Sequence, residues 1–170
     1  MFWLKIVKSI MTTLHSSVSP NQIAGGCVLG MLLGLLPAKT LLTAFLVVLI
    51  LILNVNIGSA LLVATLTALV SFFLDPLFHA TGHALLVTAT GLRPLWTKLY
   101  NMPLVPFTRF NNTVVMGSVA VGLLLSVPVF LFMRWFVVYY RAHYAQKVEQ
   151  WKIMKFFKFT SVLNVVDKYK

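Results

Sequence analysis

Residues 23–54 read IAGGCVLGMLLGLLPAKTLLTAFLVVLILILN, two apolar runs around the break Pro37-Ala38-Lys39-Thr40. The first, Ile23 to Leu36, is 14 residues long and gives a helix of about 21 Å, short of a hydrocarbon core of about 30 Å. The second, Leu41 to Leu53, is 13 residues long and stops at the polar Asn54. Pro37 cannot continue a helix, so the pair reads as a hairpin that enters the bilayer and turns back. Irregular backbone at that depth must be shielded by protein or by a water-filled cavity, which places the turn against other helices. The competing reading makes the runs two short tilted crossings, with Lys39 snorkelling to the far interface.

Two longer stretches flank a polar region. Ile57 to Leu74 is long enough to cross a thin membrane and ends at Asp75-Pro76, which reads as an N-cap followed by proline at the first helical position. A short run from Leu77 to Ala89, interrupted by His79, Gly82 and His83, precedes a stretch to Asn112 in which Trp96, Tyr100 and Phe107 accompany Lys98, Pro103 and Pro106. That mixture belongs at an interface. The last span, Val114 to Met133, contains Pro128 and is closed by Arg134, with Tyr139, Tyr140 and Tyr144 as an aromatic belt. The expected fold is all-α: a polytopic membrane protein with short re-entrant or broken helices. A broken segment followed by a full span occurs twice, so an inverted repeat is possible.

Composition agrees with lipid as the solvent. The 170 residues are 59% hydrophobic and 10% charged, with a mean hydropathy of +0.91, too apolar for an ordinary soluble domain. Three acids (Asp75, Glu149, Asp167) and one cysteine (Cys27) argue against paired-carboxylate catalysis, a disulfide framework or a cysteine metal cluster. No cofactor and no metal is expected. The net charge of +11 does not point to nucleic acid, because the cations follow an apolar run instead of forming a patch. Arg134, Arg141, Lys147, Lys152, Lys155, Lys158, Lys168 and Lys170 supply eight of the fourteen Lys and Arg, and the positive-inside bias puts that tail in the cytoplasm. Lys5 and Lys8 put the N-terminus there too.

Both ends read as surface-seeking. Phe2, Trp3, Ile6, Val7, Ile10 and Leu14 recur at helical spacing, giving an interfacial amphipathic helix over residues 1–18, where Lys8 interrupts what would be the apolar core of a secretory signal. In the tail, 134–170, Trp151, Lys152, Lys155 and Lys158 alternate with large aromatics and suit an anionic membrane surface. The membrane-embedded domain is then 19–133.

Within that domain, Gly26, Gly30 and Gly34 stand four apart, so one helix face lacks side chains and a second helix or a lipid chain can approach it. Ordinary helix packing is the simpler account, and Cys27 beside them reads as a small packing residue. Lys39, just past Pro37, sits where a cation needs a partner or hydration, and either a phosphate headgroup or Asp75 could supply one. Asn54 joins Asp75, His79 and His83 as polar groups at membrane depth. The last three lie at i, i+4 and i+8 on one helical face, yet the outer two are about 12 Å apart and cannot share one ion.

The pattern Ser19-Pro20-x-x-Ile23-Ala24-x-Gly26-x-x-x-Gly30-x-x-x-Gly34-x-x-Pro37, with Asn54 beyond it, resembles a bacterial membrane family catalogued as domain of unknown function twenty sixty-two. The resemblance extends over residues 19–83, with Asp75-Pro76 where many relatives carry Asn-Pro. Lys39 departs from the small or polar residue usual after that proline. Pro103-x-x-Pro106, Asn111-Asn112-Thr113 and Gly117 are similar to a subgroup encoded beside a much larger envelope protein in bacteria with outer membranes. The re-entrant pattern also looks distantly like the DedA lipid scramblase fold.

Together these readings lead to one expectation and its rivals. The expectation is a non-enzymatic subunit of the bacterial inner membrane that binds a larger envelope protein and assists phospholipid transfer. The glycine face, Pro37 and Lys39 would be the contacts. A stand-alone small transporter or scramblase using Lys39, Asp75, His79 and His83 is the alternative. A passive anchor or assembly factor is the third.

Overall fold

The computed structural model describes residues 18–37 and 40–143, and these are helical with no strand among them. Five α-helices follow in order: α1 (Pro20–Leu35), α2 (Leu41–Ile52), α3 (Ile57–His83), α4 (Arg93–Tyr100) and α5 (Thr113–His143). The expected helices over 1–18 and in the tail, together with Lys39, Trp151, Lys152, Lys155 and Lys158, fall outside the described residues apart from Val18.

Local signals set the ends of α1. Ser19 and Gln22 form a capping box: the Gln22 amide donates to the Ser19 hydroxyl at 3.3 Å and the Ser19 amide donates to Gln22 Oε1 at 3.1 Å. Pro20 fills the first turn, where its missing N–H costs nothing. The helix stops at Leu35 because Leu36 precedes Pro37 and is pushed to extended backbone (φ −78°, ψ 137°). Thr40 then caps α2, accepting from the Thr43 amide at 3.2 Å, while the Thr43 hydroxyl reaches back to the Pro37 carbonyl at 3.1 Å.

The hairpin returns to its starting level. Gln22 Nε2 donates to Asn54 Oδ1 at 2.7 Å, and the Asn56 amide donates to the Gln22 carbonyl at 3.0 Å, so the two feet are joined side by side. Asn56 next caps α3, its Oδ1 accepting from the Ser59 amide at 2.7 Å. Asn56→Ala is expected to lower thermal stability by about 1 kcal/mol, whereas Asn56→Asp or Asn56→Ser, which keep a capping oxygen, should lose much less. Thermal melts of the three variants in one detergent check this.

α1, α3 and α5 make the body, with α1 and α3 parallel and α5 antiparallel to both. Ile23 and Cys27 are buried with Val137 at one end; Met31, Leu35 and Phe78 meet in the middle; Leu36, Leu46 and Val115 close the end where α5 begins. The turn of the hairpin therefore reaches the level of the first residues of α5. Of α2 itself only Leu46 and Ile50 are buried.

Two expectations are corrected. Helix α3 does not break at Asp75-Pro76: Pro76 lies inside it, and the helix passes into a π-helical turn, Ala84–Thr88, making 32 continuous residues of about 48 Å. Asp75 is thus no N-cap, and the second copy of the broken-segment pattern is replaced by a continuous helix. One lost backbone bond at proline is outweighed because Leu74, Phe78 and Gly82, on either side of it, pack on the body. Likewise α5 does not end at Arg134 but runs through Pro128 to His143. Its later turns carry rings stacked four residues apart, Trp135 on Tyr139 (5.4 Å) and Tyr139 on His143 (4.5 Å). Tyr139 and Tyr140 of the expected belt lie on this extension, while Tyr144 is outside the described residues.

Helices α3, with its π-helical turn, and α5 are long and apolar enough to cross a membrane. Their most apolar windows are only 11% and 22% buried in the protein, unlike the core helices of a soluble domain. Phe72, Phe73 and Leu124 are each more than 70% exposed, an exterior suited to lipid.

Candidate functional site

The glycine face is occupied by the chain itself. A Cβ on Gly26 would lie 2.5 Å from the Asn56 carbonyl oxygen, one on Gly30 would lie 2.9 Å from Ala60 Cα, and one on Gly34 would lie 2.9 Å from the Ala68 amide. No seam is left on this face for a lipid chain. The partner surface on α3, Ala60, Ala64 and Ala68 with Ser59 and Thr67, was missed at the sequence level, although its own small residues at intervals of four carried the signal. Ser59 is buried in the seam and its hydroxyl lies 3.2 Å from the Ile23 carbonyl and 2.8 Å from the Asn56 carbonyl, so no polar atom is stranded. Asn54 is spent on Gln22, and the Pro37 carbonyl on Thr43. These are structural roles.

Asp75, His79 and His83 do share one face of α3. Asp75 is half-buried and has no hydrogen-bond or ion-pair partner among the described residues. His79 is exposed, and its Nδ1 lies 2.7 Å from the Thr113 hydroxyl at the start of α5. The His79 and His83 rings are 6.1 Å apart and line a shallow hollow of about 440 Å³ with Ala80, Ala84 and Thr88. No group of three His, Cys, Asp or Glu able to hold a metal ion occurs among the described residues. The firm chemistry here is the link between helices. A double-mutant cycle on His79→Ala and Thr113→Val is expected to give a coupling of about 1 kcal/mol, the worth of one such hydrogen bond, and additive effects would show that the two side chains do not interact.

The polar stretch after α3 folds into a cap over this end. Trp96 Nε1 of α4 donates to the Leu85 carbonyl at 3.0 Å, a carbonyl of the π-helical turn. Phe110 lies 6.1 Å from the Trp96 ring and 6.5 Å from Tyr100, joining α4 to the approach to α5. Arg93, Lys98 and Arg109 are exposed on the cap. Asp75 is the only carboxylate among the described residues, so the cap is purely basic.

A feature no sequence reading anticipated lies beside the cap. Between α2 and the one-turn 3-10 helix Val105–Thr108 runs a cleft of about 380 Å³, lined by Leu41, Leu42, Ala44, Phe45, Val48 and Thr108. Its walls are some sixty residues apart in sequence, beyond the reach of any periodicity or spacing.

Comparison with known proteins places the chain without assigning an activity. The model of a family described as an uncharacterized protein conserved in bacteria (DUF2062) matches residues 5–146. An uncharacterized protein of Treponema pallidum (strain Nichols) is 28% identical over 145 residues, which cover 85% of this chain and 89% of that protein. No solved structure matches. With most of its length inside that match, and with the Ser19-Pro20 start, the three glycines and Pro37 all used in folding, the chain belongs to the bacterial family DUF2062.

Proposed function

We propose that the protein is a non-enzymatic subunit of the bacterial inner membrane, multi-pass with both termini in the cytoplasm, that assists phospholipid transfer to or from a larger envelope protein. The observation that carries this reading is the cleft beside α2. The hairpin's outer arm packs on the body through Leu46 and Ile50, and its other side, with Thr108, lines an apolar slot within an exterior already suited to lipid. The tied feet support the orientation, since Ile23 and Val137 share one end of the bundle and the strongly basic tail follows α5 at that end.

Purification of the full chain in mild detergent tests the proposal. Phospholipid and a larger envelope protein are expected to co-elute with it, and the recovery of neither would overturn the reading. The hollow at His79 and His83 favours the second reading, a stand-alone transporter or scramblase. Accelerated lipid flipping in liposomes holding this chain alone, lost in His79→Ala with His83→Ala, would establish it in place of the first.

A further inference from the structure

The geometry points to a binding site for a single phospholipid, with one acyl chain in the cleft between α2 and the Val105–Thr108 turn and its phosphate on Arg109. This rests on the lipid-handling reading above and gives it a ligand and an address. Lipid in general touches a membrane protein on convex faces. This cleft has two walls, α2 on one side and Thr108 on the other, so an acyl chain within it is contacted from both. Its volume of about 380 Å³ falls within the range of small-molecule sites.

The chemistry changes abruptly at the Thr108 wall. The Thr108 hydroxyl donates to the Val105 carbonyl at 2.6 Å and accepts from the Phe110 amide at 3.3 Å, so its polar capacity is spent within the turn. Nothing lining the cleft offers a polar headgroup a partner, and the headgroup must sit outside. The next residue is Arg109, exposed and without a side-chain partner among the described residues. It has φ 56°, the one non-glycine residue with positive φ among those described, and is held there by bonds from its amide to Pro106 (3.0 Å) and from Asn112 to its carbonyl (2.9 Å). Such a conformation survives only where its surroundings impose it, and it recurs at ligand clamps.

Charge selects the ligand class. Arg109 stands with Arg93 and Lys98 on a cap where no described residue after Asp75 is acidic, so an anion is attracted and a metal cation repelled. The planar guanidinium fork suits two oxygens of a phosphate. Trp96 and Tyr100, amphipathic rings of the kind found at headgroup depth, stand on the same cap.

The test uses the full chain in nanodiscs containing phosphatidylglycerol with a photoreactive acyl chain, and mass spectrometry to locate the label. Label is expected to concentrate on Phe45, Val48 and Thr108. Ala44→Trp and Val48→Trp, both at exposed positions of α2, should fill the slot and lower that labelling about fivefold while the elution profile in size-exclusion chromatography stays unchanged. Arg109→Gln should lower labelling by the phospholipid about fivefold, yet leave labelling by a photoreactive diacylglycerol, which lacks the phosphate, as it was. Label spread evenly over Phe72, Phe73 and Leu124 would overturn the site, as would equal response of the two probes to Arg109→Gln. If phospholipid still co-purifies in either case, the lipid-handling reading stands and only the site falls. If neither phospholipid nor a larger envelope protein co-purifies with the wild-type chain, both fall.

Discussion

Gly117→Leu is expected to abolish recovery of the folded protein, or to leave it less stable by about 3 kcal/mol or more. An ideal Cβ at Gly117 would lie 2.6 Å from the Phe78 carbonyl carbon and 2.8 Å from its Cα. Both are backbone atoms, and neither can move aside as the end of a side chain can. Helices α3 and α5 would have to part, which would also open the adjoining close approach of Gly82 to the Thr113 backbone, where an ideal Cβ on Gly82 would lie 2.6 Å from the carbonyl carbon. Gly30→Leu should fail in the same way against Ala60, separating α1 from α3. Gly91 has nothing within 4 Å of its Cβ position, so Gly91→Ala should stay within about 0.5 kcal/mol of wild type. Size-exclusion profiles and thermal melts in one detergent compare all four chains. A Gly117→Leu protein that elutes and melts like wild type would remove the basis for the α3–α5 contact.

Phe78→Ala is expected to be the next most damaging change, costing about 2 kcal/mol. Phe78 is 0% exposed and lies where α1, α3 and α5 meet, with Met31 and Leu35 against it. In a water-soluble core the same truncation would cost about 3–5 kcal/mol. Part of that figure is transfer of the ring out of water, and lipid tails are as apolar as a protein interior, so in a bilayer the cavity and the lost dispersion contacts remain as the main cost. Phe78→Leu should restore most of the stability. Phe73, four-fifths exposed at 78%, is the matched control, because Phe73→Ala opens no cavity and should be nearly neutral. Unfolding titrations in mixed micelles that found equal losses for the two alanines would contradict the described core.

The part of the fold that could be read in the sequence is the part set by neighbours along the chain. The two apolar runs and Pro37 gave α1 and α2 to within a few residues, while the capping box of Ser19 with Gln22 and Pro20, which start α1 three residues before the run, are equally local signals that the run boundaries passed over. The glycine spacing was legible as a contact face, though what covers it was not, since the alanines of α3 lie thirty or more residues on. Asp75-Pro76 misled because the dipeptide is a good helix start in isolation, while the packing of Leu74 and Phe78 on either side holds the helix through it. Arg134 misled for a related reason: a charge marks where a membrane surface can lie, but a helix need not stop there. The cleft beside α2 was illegible, as it exists only once Thr108 is brought to Leu41 and Phe45. Lys39, Trp151 and the tail lysines lie outside the described residues, and the roles expected of them stand as sequence-level expectations.

The bond from Asn56 to Gln22 also bears on how the chain acquires its sidedness. Since the polypeptide comes back to the point from which it set out, in the proposed multi-pass arrangement the first two helices would contribute an even term to the tally of passages, whatever distance they penetrate. Orientation of all that follows rests on α3 leading away and α5 leading back. A deeper or shallower opening loop would therefore leave the directions of α3 and α5 as they are.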